Sequence, residues 1–423
     1  DKASIALIPS GTKASKLYSV LPANGDGDFT HSRSLTTATR VNKDGLIESV
    51  AADVPRLDYP LTNGVVGDCP HLLLEPSRIN LIADSDDMTG FSFTNAAIDL
   101  NSGIAPDGSN TAIKFKDNNG GGTGFVRMFK TYTVSTSTDY QMSVFMKANG
   151  VNFAGLRTGS FNPPANADTV FNLSNGTIHS QASDHTRASI EDYGNGWYRC
   201  SIGFETGSSV TSGNFVVILA NNNGNPNSVS IDGTSNVLIW GAQFEAGSYT
   251  TSHIPTSGIA ETRSADVCNG SGTSAEFNDS EGVLFAELQA LDDLPSDTSY
   301  VSISDGSSVT NAVLIQYRNT GELRLYNGGT VTANMIFRDS GATLTDNLKI
   351  AIKYGTSTSD YKVYINGISK TIETAFVATS MSGLNSLQFA YSNGTSNPLQ
   401  GKCKQLIYFN EALSDSELQT LTS

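Results

Sequence analysis

Residues 312–326 read Ala-Val-Leu-Ile-Gln-Tyr-Arg-Asn-Thr-Gly-Glu-Leu-Arg-Leu-Tyr, and their spacing decides the fold class. Side chains in a strand alternate between faces, so Val313, Ile315 and Tyr317 share one side of a first strand and Leu323 and Leu325 one side of a second. Asn319-Thr-Gly321 between them supplies turn residues, which makes the pair an antiparallel hairpin. Tyr361-Lys-Val-Tyr-Ile-Asn-Gly367 repeats the device, with Val363 and Ile365 inward and Lys362 and Tyr364 outward. The expected unit is a sheet with one buried and one wet face.

The same signal extends over most of the chain. Asn149-Gly150, Asn175-Gly176, Asn195-Gly196, Asp232-Gly233, Asp305-Gly306, Asn327-Gly328, Asn366-Gly367 and Asn393-Gly394 sit beside short apolar stretches. Such pairs tolerate the positive φ of type I′ turns, so tight hairpins are expected and the protein reads as all-β. One helix is expected, at the end: Ser414-Asp-Ser-Glu417 is a capping box followed by Leu418 and Leu421.

Composition narrows the function classes. With 26 Lys+Arg against 41 Asp+Glu the formal charge is −15. Nucleic acid and anionic lipid are disfavoured as partners, because both are held chiefly by Lys and Arg. The longest useful apolar run, Phe215 to Ala220, is far short of a membrane span, so no membrane insertion is expected. Cys69, Cys200, Cys268 and Cys403 form no C-x-x-C pair and are expected as free, buried thiols.

Texture divides the chain in three. Residues 1–78 show little alternation and five Pro-interrupted segments, suggesting an extended arm lying on something else. Residues 79–258 and 259–423 are strand-rich and each long enough for an antiparallel β-sandwich.

Two resemblances sharpen this. Gly282-Val-Leu-Phe-Ala-Glu-Leu288, Tyr361 to Gly367 and Leu406-Ile-Tyr-Phe-Asn-Glu-Ala-Leu-Ser-Asp-Ser-Glu-Leu418 resemble the concanavalin A-like lectin/glucanase superfamily, in particular laminin-G-like jelly rolls. Cys69-Pro-His-Leu-Leu-Leu-Glu-Pro-Ser-Arg-Ile-Asn80, Tyr193-Gly-Asn-Gly-Trp-Tyr-Arg-Cys200, Trp240-Gly-Ala-Gln-Phe-Glu-Ala-Gly-Ser248, Ser252-His-Ile-Pro-Thr256 and Thr262-Arg-Ser-Ala-Asp266 are similar to a segment of tailed-bacteriophage appendage proteins, whose middle block is like a carbohydrate-binding-module jelly roll. The resemblance implies a virion-surface tail fibre, tail spike or capsid fibre. The arm would dock on other virion proteins, and the assembly would be a homo-oligomer, expected as a trimer.

The residues that could carry chemistry are few. Glucanases of the superfamily place Glu and Asp on one strand face, but in Glu276-Phe-Asn-Asp279-Ser-Glu281 the later two fall opposite Glu276. Glu281 and Glu287 read as edge charges, and His179 and His185 as surface histidines of a polar loop. No enzyme is expected and no cofactor, save calcium, which the superfamily often holds in loops and for which Asp292, Asp293, Asp297 and Asp305 are weak candidates. Sugar binding needs ring platforms and planar polar side chains. Gln316, Arg318, Arg324, Tyr326, Lys362 and Tyr364 are the candidates on the wet face, with Trp197, which follows a turn, as a possible platform; for Trp197 and Trp240 alike a core role is the commoner one. The expected function is recognition of a host-surface glycan or polysaccharide, with structural decoration of the capsid or tail and polysaccharide depolymerisation as the alternatives.

Overall fold

The computed structural model describes residues 2–293, 298–307, 310–328, 332–394 and 396–423. Among the described residues the chain is all-β, with one short α-helix at its end and three brief 3-10 turns. Two sandwiches account for most of the strands. In the first, one six-stranded sheet runs in the order Ser92–Thr94, Arg127–Thr133, Ser212–Ala220, Phe153–Gly159, Ala167–Asn172, Thr177–Ser180. Its partner runs Ala96–Asp99, Ile113–Asp117, Asn236–Ala246, Asp139–Ala148, Trp197–Glu205, Arg187–Asp192. Alternation explains the core between them: Met142, Val144 and Met146 point inward with Cys200, Ile202 and Phe204, while Ser143, Phe145 and Arg199 fall on the other face.

The second sandwich contains the quoted hairpin. Ala312–Arg318 and Glu322–Asn327 pair as expected, with Val313 opposite Asn327 and Gln316 opposite Arg324. They belong to a five-stranded sheet whose inner residues Val313, Ile315, Tyr317, Leu323 and Leu325 enter one core. The facing eight-stranded sheet contains Lys362–Ile365, Leu348–Tyr354, Gly282–Ala290 and Gly401–Phe409.

Three further strands of that sheet come from the beginning of the chain. Ala3–Leu7 pairs with the Leu406 end of Gly401–Phe409, His71–Leu74 with its Gly401 end, and Arg56–Asp58 with His71–Leu74. Ile5, Leu7, Leu57, Leu72 and Leu74 are buried in the same core as the hairpin. The segment 1–78 thus lies on its own chain. Its strand His71–Leu74 lacks alternation because both faces are covered: Leu72, Leu73 and Leu74 are all buried.

A buried ionic cluster joins this segment to the chain between the sandwiches. Arg56 donates Nη1 to Glu75 Oε2 at 2.5 Å and Nη2 to Asp266. Arg33 Nη1 reaches Asp266 Oδ1 at 3.0 Å, and Arg263 Nη1 lies 3.0 Å from Glu75 Oε2. Ser252 donates both its N–H and its hydroxyl to Glu75, and the Glu75 N–H donates to Asp266. Burial alone would raise the Glu75 carboxyl, but Arg263 and Arg56 hold it down at about 2. Asp266, equally buried, is held well below the carboxylate range by Arg56, His31 and Arg33. Glu75, Ser252, Arg263 and Asp266 all belong to the stretches that carry the phage-appendage resemblance, so those stretches build the joint between the parts.

Local expectations divide. The Ser414 capping box forms: Glu417 accepts from the Ser414 N–H at 2.8 Å and opens the helix Asp415–Thr422. Type I′ signs, positive φ at both residues, occur at Asn195-Gly196 and Asn366-Gly367, whereas at Gly176, Gly233, Gly306, Gly328 and Gly394 only the glycine is left-handed. Cys200, Cys268 and Cys403 are buried free thiols, but Cys69 is exposed. Among the described residues no helix is long and apolar enough to cross a membrane.

Candidate functional site

The predicted wet face divides into two places. Gln316, Arg318, Arg324 and Tyr326 share the outer face of the five-stranded sheet, but Lys362 and Tyr364 stand on the eight-stranded one. The reason is topological: the strand Lys362–Ile365 pairs with Leu348–Tyr354, which a hairpin-local reading cannot see. Tyr364 is buried against Leu413 and Leu418 at the terminal helix. Tyr326 is 2 % exposed in a cluster with Tyr300, Leu314 and Met335. The chain after Phe389 covers that face, since Ser302 and Ser304 donate their hydroxyls to the carbonyls of Ala390 and Ser392, each at 2.9 Å. Gln316 is buried and donates to the Tyr300 hydroxyl, while Arg324 and Arg318 engage Glu322. Neither Tyr326 nor Tyr364 has a ring face to offer a sugar.

Trp197 is also a core residue. It is 3 % exposed, packs with Ile47, Phe145 and Trp240, and donates its indole N–H to the Ile104 carbonyl at 3.0 Å. Of the calcium candidates, Asp292 faces Arg187 at 3.5 Å, Asp293 accepts from the Thr345 N–H and hydroxyl, and Asp305 accepts from Ser307 and Asn311. Asp297 lies outside the described residues. Among the described residues no group of three His, Cys, Asp or Glu side chains is placed to hold a metal. Glu276 caps its own turn through Thr273, Asp279 accepts from the Gly383 and Leu384 N–H groups, and Glu287 meets Asn347 and Lys404. His179 is exposed, but His185 is fully buried, its ring nitrogens 3.0 Å and 2.8 Å from the Thr158 and Thr169 hydroxyls. Burial pushes its imidazole down to about 4.

A cleft that the sequence reading did not identify lies where residues 1–78 meet both sandwiches. It encloses about 560 Å³, within the range of small-ligand sites at domain junctions. One wall is Thr39 to Val41 with Asp58, Tyr59 and Pro60; a second is Glu191 to Tyr193 with Tyr198, Arg199 and Phe145; the third is Gln289 to Leu291 with Thr345 and Lys402.

Local geometry explains the walls. The strands Arg187–Asp192 and Trp197–Glu205 are joined by a tight turn in which Gly194, Asn195 and Gly196 all have positive φ. Tyr193 N–H donates to the Trp197 carbonyl at 2.8 Å, which sets the Tyr193 ring edge-on to Phe145, centroids 4.9 Å apart. The Asn63-Gly64 turn docks there: a Cβ on Gly194 would lie 2.7 Å from the Gly64 carbonyl oxygen, so two glycines allow the backbones to meet.

The polar groups are mostly committed. Asp58 accepts from the Val41 N–H at 2.9 Å and faces Lys402 at 3.6 Å, and Arg40 pairs with Glu48 at 2.6 Å. Burial, with Glu191 and Asp58 nearby, pushes the Tyr193 phenol above its usual range, and the Arg199 guanidinium opposes the shift. Arg199 itself is 5 % exposed, stacks over Phe145 with its guanidinium carbon 5.4 Å from the ring centre, and donates Nη2 to Ser143 Oγ at 3.2 Å. The arrangement offers rings (Tyr59, Tyr193, Tyr198) beside donors and acceptors. Tyr193, Tyr198 and Arg199 lie inside the quoted stretch 193–200. The signal for Arg199 was its parity with Trp197, which sets it opposite the Cys200 and Ile202 core.

No protein-family model matches the chain, and no curated protein matches it. Among solved structures it is similar to the CBM40 module of Ruminococcus gnavus IT-sialidase bound to alpha2,3 sialyllactose, at 17% identity and TM-score 0.28 over 37% of this chain and 94% of the module. It is similar to the NanB sialidase from Streptococcus pneumoniae at 17% identity and TM-score 0.27, over 36% of this chain and 27% of that one. It is also similar to Trypanosoma rangeli sialidase in complex with sialic acid, at 10% identity and TM-score 0.27 over 100% of this chain and 83% of that one. Scores this low carry no weight for what the chain does.

Proposed function

We propose that this protein binds glycans without cleaving them, and that the saccharide sits in the cleft between residues 1–78 and the two sandwiches. The observation that carries the reading is the cleft itself: about 560 Å³ lined by Tyr59, Tyr193 and Tyr198 with hydroxyl, amide and charged groups between them. A pyranose stacks its C–H face on such rings and hydrogen-bonds at its edge. A virion appendage that attaches to host polysaccharide is the biological setting we propose, on the strength of the sequence resemblance alone. In such an assembly weak sites would gain by multivalency.

Glycan-array binding of the purified chain, followed by calorimetry on the best ligand, tests this. Tyr59→Ala and Tyr198→Ala should each weaken binding about 10-fold, the worth of one ring contact. A blank array, or full affinity in both variants, would overturn the reading. Release of reducing ends from the bound polysaccharide would replace it with depolymerisation.

A further inference from the structure

Arg199 is out of place as a structural residue. A buried guanidinium is ordinarily neutralised, and Arg33, Arg56 and Arg263 in this molecule all are. Among the described residues Arg199 has no carboxylate within ion-pairing distance, which sets it apart from those three; Nη2 is held by Ser143 Oγ. Its cross-strand neighbour is Glu191, which is exposed rather than paired with it. Of the other carboxylates lining the cleft, Asp58 is engaged by Lys402 and the Val41 N–H, Asp192 by the Gly194 N–H, and Glu75 by Arg56 and Arg263. The Arg199 guanidinium thus lines the cavity with no counter-ion in contact among the described residues, and the other charges there without an ion-pair partner are the Glu191 and Asp192 carboxylates.

We infer that the Arg199 guanidinium reads an oxyanion on the ligand, so that the cleft selects an acidic saccharide. The inference rests on the glycan reading above and adds the ligand's charge. A guanidinium donates strongly to an oxygen of a sugar carboxylate, and a sulfate or phosphate ester offers the same acceptors. A positive charge held without a counter-ion is a cost to the free protein that the ligand removes.

The test uses the full chain and matched pairs of glycans: uronic-acid oligosaccharides with their carboxyl-reduced forms, and sulfated or phosphorylated ones with their stripped forms. Binding should be confined to acidic members, and removing the anion should weaken it about 10- to 100-fold. Which pair responds identifies the oxyanion. Arg199→Gln should lower acidic ligands to the level of their neutral partners, Arg199→Lys should restore part of the difference, and Glu191→Gln should tighten acidic binding. Arg199→Gln should also melt no lower than wild type; a substantial drop would mark a structural arginine and count against the inference. Neutral glycans bound as tightly as acidic ones, with Tyr198→Ala still harmful, would overturn the anion assignment while leaving the glycan reading intact. No binding to any member would overturn both.

Discussion

Glu75→Gln is the most informative single change to the joint between the parts. Glu75 is buried and takes Arg56, Arg263, the Ser252 hydroxyl and the Ser252 N–H. Its carboxyl sits at about 2 against an ordinary 4.5, a difference that corresponds to about 3–4 kcal/mol of stability. The sign is that of a depressed acid: the contribution is complete above pH 4.5 and is lost as pH falls toward 2. A neutral amide also leaves Arg263 without a counter-ion and Arg56 with Asp266 alone, a change of the same order, ~3–5 kcal/mol. The assay is urea denaturation at pH 7 and at steps down to pH 3. With a slope of ~3 kcal/mol/M, the Glu75→Gln midpoint should fall by about 1 M at pH 7. The two curves should converge as the pH drops, because the wild-type chain loses the same interaction by protonation. A midpoint unchanged at pH 7, or a difference that persists undiminished at pH 3, would refute the reasoning.

Other outcomes follow from the same geometry. The His185 imidazole, buried between two threonine hydroxyls, should titrate near pH 4 by NMR in the folded chain, and a midpoint near 6.5 would contradict its burial. Because its folded value is depressed, the neutral ring's full contribution, about 3 kcal/mol, is present above pH 6.5 and lost as pH falls toward 4, so replacing it with glutamine should flatten stability over that window. Ser414→Ala removes the N-cap of the terminal helix and should cost about 1 kcal/mol, read as faster amide exchange across 415–422; unchanged exchange would show that the packing of Leu418 suffices.

Much of the architecture was legible because alternation is a local property. The 312–326 hairpin, the strand Lys362–Ile365 and the Ser414 helix need only neighbours within a few residues, whereas Gly282–Ala290, buried almost throughout, was read from its resemblance. The sites were less legible, because they depend on what covers each face. Tyr326 and Tyr364 occupy outward positions in their strands, yet a loop covers one and a helix the other. The segment 1–78 was hard to read for the same reason: the all-apolar run 72–74 is buried on both faces and shows no period. The cleft is assembled from many short stretches far apart in sequence. Only Arg199, charged and on the same strand face as Trp197, carried a local hint.

The strand Gly401–Phe409 holds Ala3–Leu7 along one half of an edge and His71–Leu74 along the other. Ser4 and Tyr408, hydrogen-bonded across it, are 404 positions apart. During synthesis Ala3–Leu7 and His71–Leu74 are therefore made long before Gly401–Phe409 and must wait for it before their sheet can close, the kind of non-local pairing that folds slowly. Residues 259–423 expressed alone would lack three strands and expose the bare edge of Gly401–Phe409, a template for self-association. Cutting the chain at its apparent domain boundary should yield aggregates, whereas both ends supplied as separate fragments should recombine.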